Sequence, residues 1–143
     1  RVIPYHPSVQ DWTKPGDLRI LEIPNFADLT LQSQDPYGRD LDQWPLFRTE
    51  GAESFMQHVD NMRAYYSSLK VPAVFCLYVH PWEFVDMPSR FVYGEAIIEP
   101  LPFITKNCGF HALVEFSRVI DAFGQRGARF YSAIEFARFW NNR

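Results

Sequence analysis

Val71-Pro72-Ala73-Val74-Phe75-Cys76-Leu77-Tyr78-Val79, running on into His80-Pro81-Trp82-Glu83-Phe84, is the stretch on which the fold turns. The apolar run has no polar face, the pattern of a strand covered on both sides, and Pro81 then removes a backbone donor and stops the ladder. His80 is therefore expected on a rim, at the point where a buried strand leaves the core. Parallel α/β folds keep their chemistry at such strand ends. A lone histidine beside a proline turn is as often a hydrogen-bonded loop residue, so the case for His80 rests on the whole His-Pro-Trp-Glu tetrad.

Just before this run, Phe55, Val59, Met62 and Tyr66 recur at steps of four, three and four, which lines one face of a helix within residues 51–69. Lys70 closes it. Further upstream, Leu18-Arg19-Ile20-Leu21-Glu22-Ile23 alternates and then turns apolar before Pro24, and reads as a first strand. Residues 1–16 carry Pro4, Pro7 and Pro15 without a period and read as an extended loop. Residues 25–49 are rich in Asp, Gln, Pro and Gly, a long irregular segment of the kind that is usually functional or covered by a partner.

Downstream of His80, residues 84–107 form a second long connection with an apolar patch, Ala96-Ile97-Ile98, placed to act as a lid or substrate wall. Leu113, Phe116, Val119, Ile120 and Phe123 then follow helical spacing over residues 110–123, with Gly124 as the stop. Gly127-Ala128-Arg129-Phe130-Tyr131 reads as a short third strand, and Ser132-Ala133-Ile134-Glu135 as a capping box opening a last helix. The order strand, helix, strand, helix, strand, helix predicts an α/β fold with parallel strands joined by right-handed crossovers. Three such units leave two open sheet edges, so the sequence is expected to be one half of a larger domain. A complete three-layer domain whose long loops cover those edges is the competing reading.

At 143 residues, with 47% hydrophobic and 22% charged, the chain has room for one core, a single domain or part of one. Its formal charge of -3 without a basic run provides no electrostatic footprint for nucleic acid or anionic lipid, so neither partner is expected. Cys76 and Cys108 lie on different elements without metal-ligand spacing and read as free thiols. No apolar stretch approaches the ~20 residues that cross a bilayer, and the low cysteine count suits a bacterial cytoplasmic protein. The start at Arg1, not Met, fits processing or truncation. An aromatic content of 17%, spread over the whole length, implies surfaces covered by another part of a protein or a ligand cleft.

Several segments, in order, resemble the polysaccharide deacetylase family, the NodB-homology or carbohydrate esterase type. They are Pro4-Tyr5-His6-Pro7-Ser8 with Asp11-Trp12, Leu21-Glu22-Ile23-Pro24, and Leu77-Tyr78-Val79-His80-Pro81-Trp82-Glu83-Phe84. The ending, Gly127 to Ser132 with Glu135 and Trp140, also resembles that family's last strand and helix. The resemblance implies the C-terminal part of a distorted (β/α) barrel of about seven strands. It implies removal of an N-acyl group, such as acetyl, from a sugar or glycan by metal-assisted hydrolysis. A carboxylate would serve as base and a late histidine as acid toward the leaving amine, and His80 matches that histidine. Tyr5, His6, Trp82 and Glu83 are the implied substrate-binding residues. Trp82 would be a stacking platform, or pack under the loop; Glu83 would help hold His80 protonated, or be a structural carboxylate.

The family's metal ligands, an Asp-Asp pair and a His-x-x-x-His, have no match here. His6, His58, His80 and His111 show no ligand spacing. A divalent metal, zinc first, is thus expected to be held by the upstream half of the same protein, which with a carbohydrate substrate completes the expected partners. Self-association through open sheet edges, as a homo-oligomer, is also foreseen. A different class of function is a non-catalytic carbohydrate-binding or assembly module of the same fold, using Tyr5, Trp12, Trp44 and Trp82 for stacking. A third is a metal-free amidohydrolase or glycosidase using Glu22 or Glu83, which lacks a convincing carboxylate pair.

Overall fold

Helix α2, Ala52–Ser68, organises the molecule, and the face expected of it is the face it buries: Phe55, Val59, Met62 and Tyr66, joined by Ala52 and Met56. The computed structural model describes residues 2–34 and 46–143, so Trp44 and the middle of the irregular segment lie outside the described residues. A short helix, α1 (Leu46–Thr49), precedes α2, and α4 (Phe110–Gln125) packs beside both. Val119, Ala112 and Phe123 bring the α4 side of the core. The first amide of α2, which no intrahelical carbonyl can satisfy, donates from Ala52 to the Glu115 carboxylate of α4 at 2.8 Å. At the other end Lys70 takes φ +56°, ending the helix where its role as terminator was expected.

The predicted parallel strands need correction. Residues 71–79 form neither a helix nor a named strand, and their one ladder contact among the described residues is a single parallel bridge, Asn25 to Cys76. Residues 18–23 contribute one antiparallel bridge, Glu22 to Tyr5, and residues 127–131 none. Hence the chain has mixed α and β structure, while no parallel ladder and no barrel forms among the described residues. The physical reason is that an extended segment becomes a ladder only when a neighbour of similar length lies alongside, and Asn25 supplies contact at one point. Val71, Phe75, Leu77 and Val79 pack against the core, with the Phe75 ring 5.5 Å from Phe26, 5.8 Å from Tyr66 and 5.7 Å from Phe123. The His80 ring meets that of Tyr78, two residues before it, with centroids 5.6 Å apart.

The one two-stranded sheet among the described residues lies where none was expected, inside the 84–107 connection. Strand β1 (Phe91–Tyr93) pairs antiparallel with β2 (Ala96–Ile98), Tyr93 opposite Ala96. Gly94 opens the two-residue loop with φ +59°, the position at which a type II′ turn takes glycine. A single turn, α3 (Pro102–Thr105), leads from the hairpin toward α4. Helix α4 does not stop at Gly124: it runs one residue further, and Gly127, at φ +74°, makes the reversal that returns the Ala128 amide to the Phe123 carbonyl at 3.0 Å. Leu113 and Ile120, expected on its apolar face, are exposed. Helix α5 (Ala133–Asn141) opens on the expected capping box, Glu135 accepting the Ser132 amide at 2.8 Å and donating its own to Ser132 Oγ at 3.3 Å. None of its residues is buried.

Candidate functional site

His80 stands at the end of the 71–79 segment, in front of a 3-10 turn over Pro81–Phe84, with its side chain 43% exposed. Pro81 enters that turn at its first position, where its missing N–H costs nothing. Glu83, the third residue of the turn, reaches back so that Oε2 accepts the His80 amide at 2.8 Å, while the Glu83 amide donates to the His80 carbonyl at 3.0 Å. The same Oε2 lies 3.8 Å from His80 Nδ1. Tyr78 and Trp82 flank the imidazole, with ring centroids 5.6 and 5.4 Å away.

Beneath the turn lies a buried ion pair that sequence reasoning missed. Arg48, on α1, donates from Nε to Glu83 Oε1 at 2.8 Å, and both side chains are 0% exposed. Its Nη1 donates to the carbonyls of Phe103, at 2.9 Å, and Lys106. Nη2 is buried with no hydrogen-bond partner among the described residues. The guanidinium carbon sits 5.5 Å from the Trp82 ring centroid, within cation–π range. Asn107 Nδ2 donates to the Arg48 carbonyl at 2.9 Å, and the Gly109 amide to the Glu83 carbonyl at 2.8 Å. Arg48 thus locks together α1, the His80 turn and the end of the 84–107 connection. Replacing one partner of such a pair leaves an uncompensated buried charge, a penalty of about 3–5 kcal/mol.

This geometry corrects one expectation and sharpens another. Glu83 is fully buried against Arg48, so it offers no surface to a substrate and no accessible carboxylate to a glycosidase mechanism. It is a positioning group for His80. Trp82 does adjoin His80, half-buried between it and Arg48, in keeping with both roles weighed for it.

Tyr5 and His6 are held by other contacts. The Tyr5 hydroxyl donates to the Trp12 carbonyl at 2.8 Å, and its backbone pairs with Glu22. His6 Nδ1 lies 2.9 Å from both the Leu18 and Ile20 carbonyls, so it must be the protonated nitrogen, and Nε2 meets the Asn141 side chain at 3.0 Å. His6 therefore ties the N-terminal segment to α5, and both its ring nitrogens are occupied, which argues against the substrate-binding role expected of it. The fully exposed aromatic of that region is Trp12, at 75%.

A second polar cluster lies on the far side of α2. Asp28, itself fully buried, accepts from the Thr30 amide at 3.0 Å, Thr30 Oγ1 at 2.6 Å, His58 Nδ1 at 2.7 Å and Asn61 Nδ2 at 3.1 Å. Burial alone would raise its pKa, but the bonds from Thr30, His58 and Asn61 outweigh it and hold the carboxyl below its ordinary range. The two cysteines are free; burial pushes both thiols up, with Glu22 adding to the effect at Cys76. Both are consequently poor nucleophiles near neutral pH.

Among the described residues no three His, Cys, Asp or Glu side chains gather as metal ligands would, so they do not fit the divalent metal that the resemblance implies. No described helix is long and apolar enough to cross a membrane. A scan against protein-family models, a search of curated proteins and a search of solved structures each find no match to the chain.

Proposed function

We propose that this chain belongs to a polysaccharide deacetylase-like hydrolase that removes an N-acyl group from a sugar or glycan, and that His80 is its general acid. In this reading the chain is the C-terminal part of a (β/α) barrel, its metal and base are held by residues outside 1–143, and its own contribution is the proton donor. The observation that carries it is the placement of His80. A half-exposed imidazole ends an apolar segment, lies between the Tyr78 and Trp82 rings, and has its backbone amide held by a buried carboxylate. General acids need that combination of access and rigidity to deliver a proton to a leaving amine.

The test uses the full-length protein and acetate release from N-acetylated chito-oligosaccharides. His80→Ala should lower kcat by roughly two to four powers of ten with metal content intact, because general acid catalysis contributes about that much. His80→Asn should be almost as inactive, since an amide supplies no acid near neutral pH. Metal loss in the alanine variant would make His80 a ligand instead. Unaltered turnover in both variants would end the catalytic reading.

The exposed Trp12 ring favours one second reading, a carbohydrate-binding module without turnover. Glycan binding that survives His80→Ala but is lost in Trp12→Ala, with no acetate released by the parent protein, would favour it.

A further inference from the structure

The Arg48–Glu83 pair is more elaborate than stability requires. Buried ion pairs are commonly no better than apolar residues of the same volume, so a pair that is kept invites the question of what it holds in place. Here the answer is geometric. Glu83 accepts at both ends, Oε1 from Arg48 and Oε2 from the His80 amide, so the orientation of the carboxylate fixes the backbone that carries the imidazole. Arg48 in turn is fixed by the Phe103 and Lys106 carbonyls, which belong to the connection leaving the His80 end of the chain. A carboxylate alone could rotate about its last torsion; a planar guanidinium anchored on two further carbonyls prevents it.

We propose that Arg48 is a positioning residue for His80, acting through Glu83, and that the same guanidinium sets the wall formed by residues 103–106 relative to the imidazole. The proposal rests on the reading of His80 as the general acid. It assigns Arg48 no contact with substrate. A displaced general acid keeps its chemistry but loses alignment, so a loosened Arg48 lowers kcat and leaves KM close to its original value.

Two variants of the full-length protein, with Arg48→Met as a third for the kinetics, test this. Glu83→Gln retains the shape but offers a single acceptor oxygen, so it cannot serve Arg48 Nε and the His80 amide together. Arg48→Lys keeps the charge and loses the fork that spans Glu83 and the two carbonyls. Amide hydrogen exchange followed residue by residue should quicken at His80 by about tenfold or more in both, while the α2 amides from Phe55 to Tyr66 keep their protection. Acetate release from N-acetylated chito-oligosaccharides should fall in kcat, less in Arg48→Lys than in Arg48→Met, with KM little changed. Unchanged exchange at His80 in both variants overturns the proposal. So does faster exchange throughout α2, which would make Arg48 a general support of the fold, or an effect confined to KM. Faster exchange at His80 alone, in a protein whose His80→Ala variant turns over normally, would sink the acid role of His80 and leave the hold of Arg48 on it standing.

Discussion

Arg126 grips Asp60 with both ends of its fork, Nε to Oδ1 at 3.0 Å and Nη2 to Oδ2 at 2.7 Å. The bond joins the C-cap of α4 to the middle of α2 and clamps the two helices at the end opposite Glu115. Arg126 first, and the charge of Arg63 in smaller part, lower the Asp60 pKa, and Asp60 raises that of Arg126. Because both side chains are about a third exposed, solvent screening leaves this clamp a modest share of the stability.

Acid should act in part through Asp28, one of the buried carboxylates. Its folded pKa lies below the ordinary 3.8, so the unfolded chain binds the extra proton first. The stabilisation is fully present above about pH 4 and is lost as pH falls through the lower, folded value. Urea midpoints measured between pH 7 and pH 2 should hold down to that point and then drop. Asp28→Asn should flatten the drop and cost about 1–3 kcal/mol at neutral pH, since an amide turns a donor toward His58 or Asn61. An acid limb equally steep in the variant would assign it to other carboxylates.

Glu115 caps α2 from another helix. Glu115→Ala orphans the Ala52 amide in a buried site and should lower stability by about 1–2 kcal/mol, whereas Glu115→Gln keeps an acceptor and should cost less. Denaturant unfolding of the two variants side by side gives the comparison. Equal losses would mean that the charge, and not the cap, matters at this position.

Gly109 has two reasons to remain glycine. Its φ is +82°, and a Cβ placed there would come within 2.1 Å of Asp86 Oδ1. With ψ −141° the backbone lies in a region that is essentially glycine's alone, so Gly109→Ala should destabilise by about 1–3 kcal/mol from the backbone alone. Trimming the obstacle in a Gly109→Ala, Asp86→Ala double variant should recover only the steric part. Complete recovery, read from thermal midpoints, would show that the backbone there accepts an L side chain without strain.

Local, repetitive chemistry was readable in the sequence and distant pairing was not. The buried face of α2 follows from the spacing of Phe55, Val59, Met62 and Tyr66, and the start of α5 from Ser132 and Glu135, because these signals act within four residues. The same spacing rule was partly misleading in α4, where Leu113 and Ile120 belong to the pattern yet face outward. The apolar run 71–79 reads as a buried strand, but pairing depends on a neighbour's backbone, which no property of Val71 or Val79 reports, and only Cys76 makes a bridge. The β1–β2 hairpin was missed although Gly94-Glu95 between Tyr93 and Ala96 is a hairpin turn signal. In the candidate site, His80 and Trp82 come together because they are adjacent in sequence. Arg48, 35 residues before Glu83, carries no local mark of its partner.

The bond between His6 and Asn141 has a consequence for the order of synthesis. It joins residues 135 positions apart, so a growing chain must complete α5 before the His6 ring finds its second partner. Until then the N-terminal segment is held by Leu18, Ile20 and Glu22 close by in the chain and by α2, where the Tyr66 hydroxyl donates to the Val2 carbonyl at 2.8 Å. With no buried residue of its own, α5 has little else to anchor it, and among the described elements it is the last to dock. The same helix should be among the earliest parts to detach from the folded protein, opening long before the α2–α4 core yields.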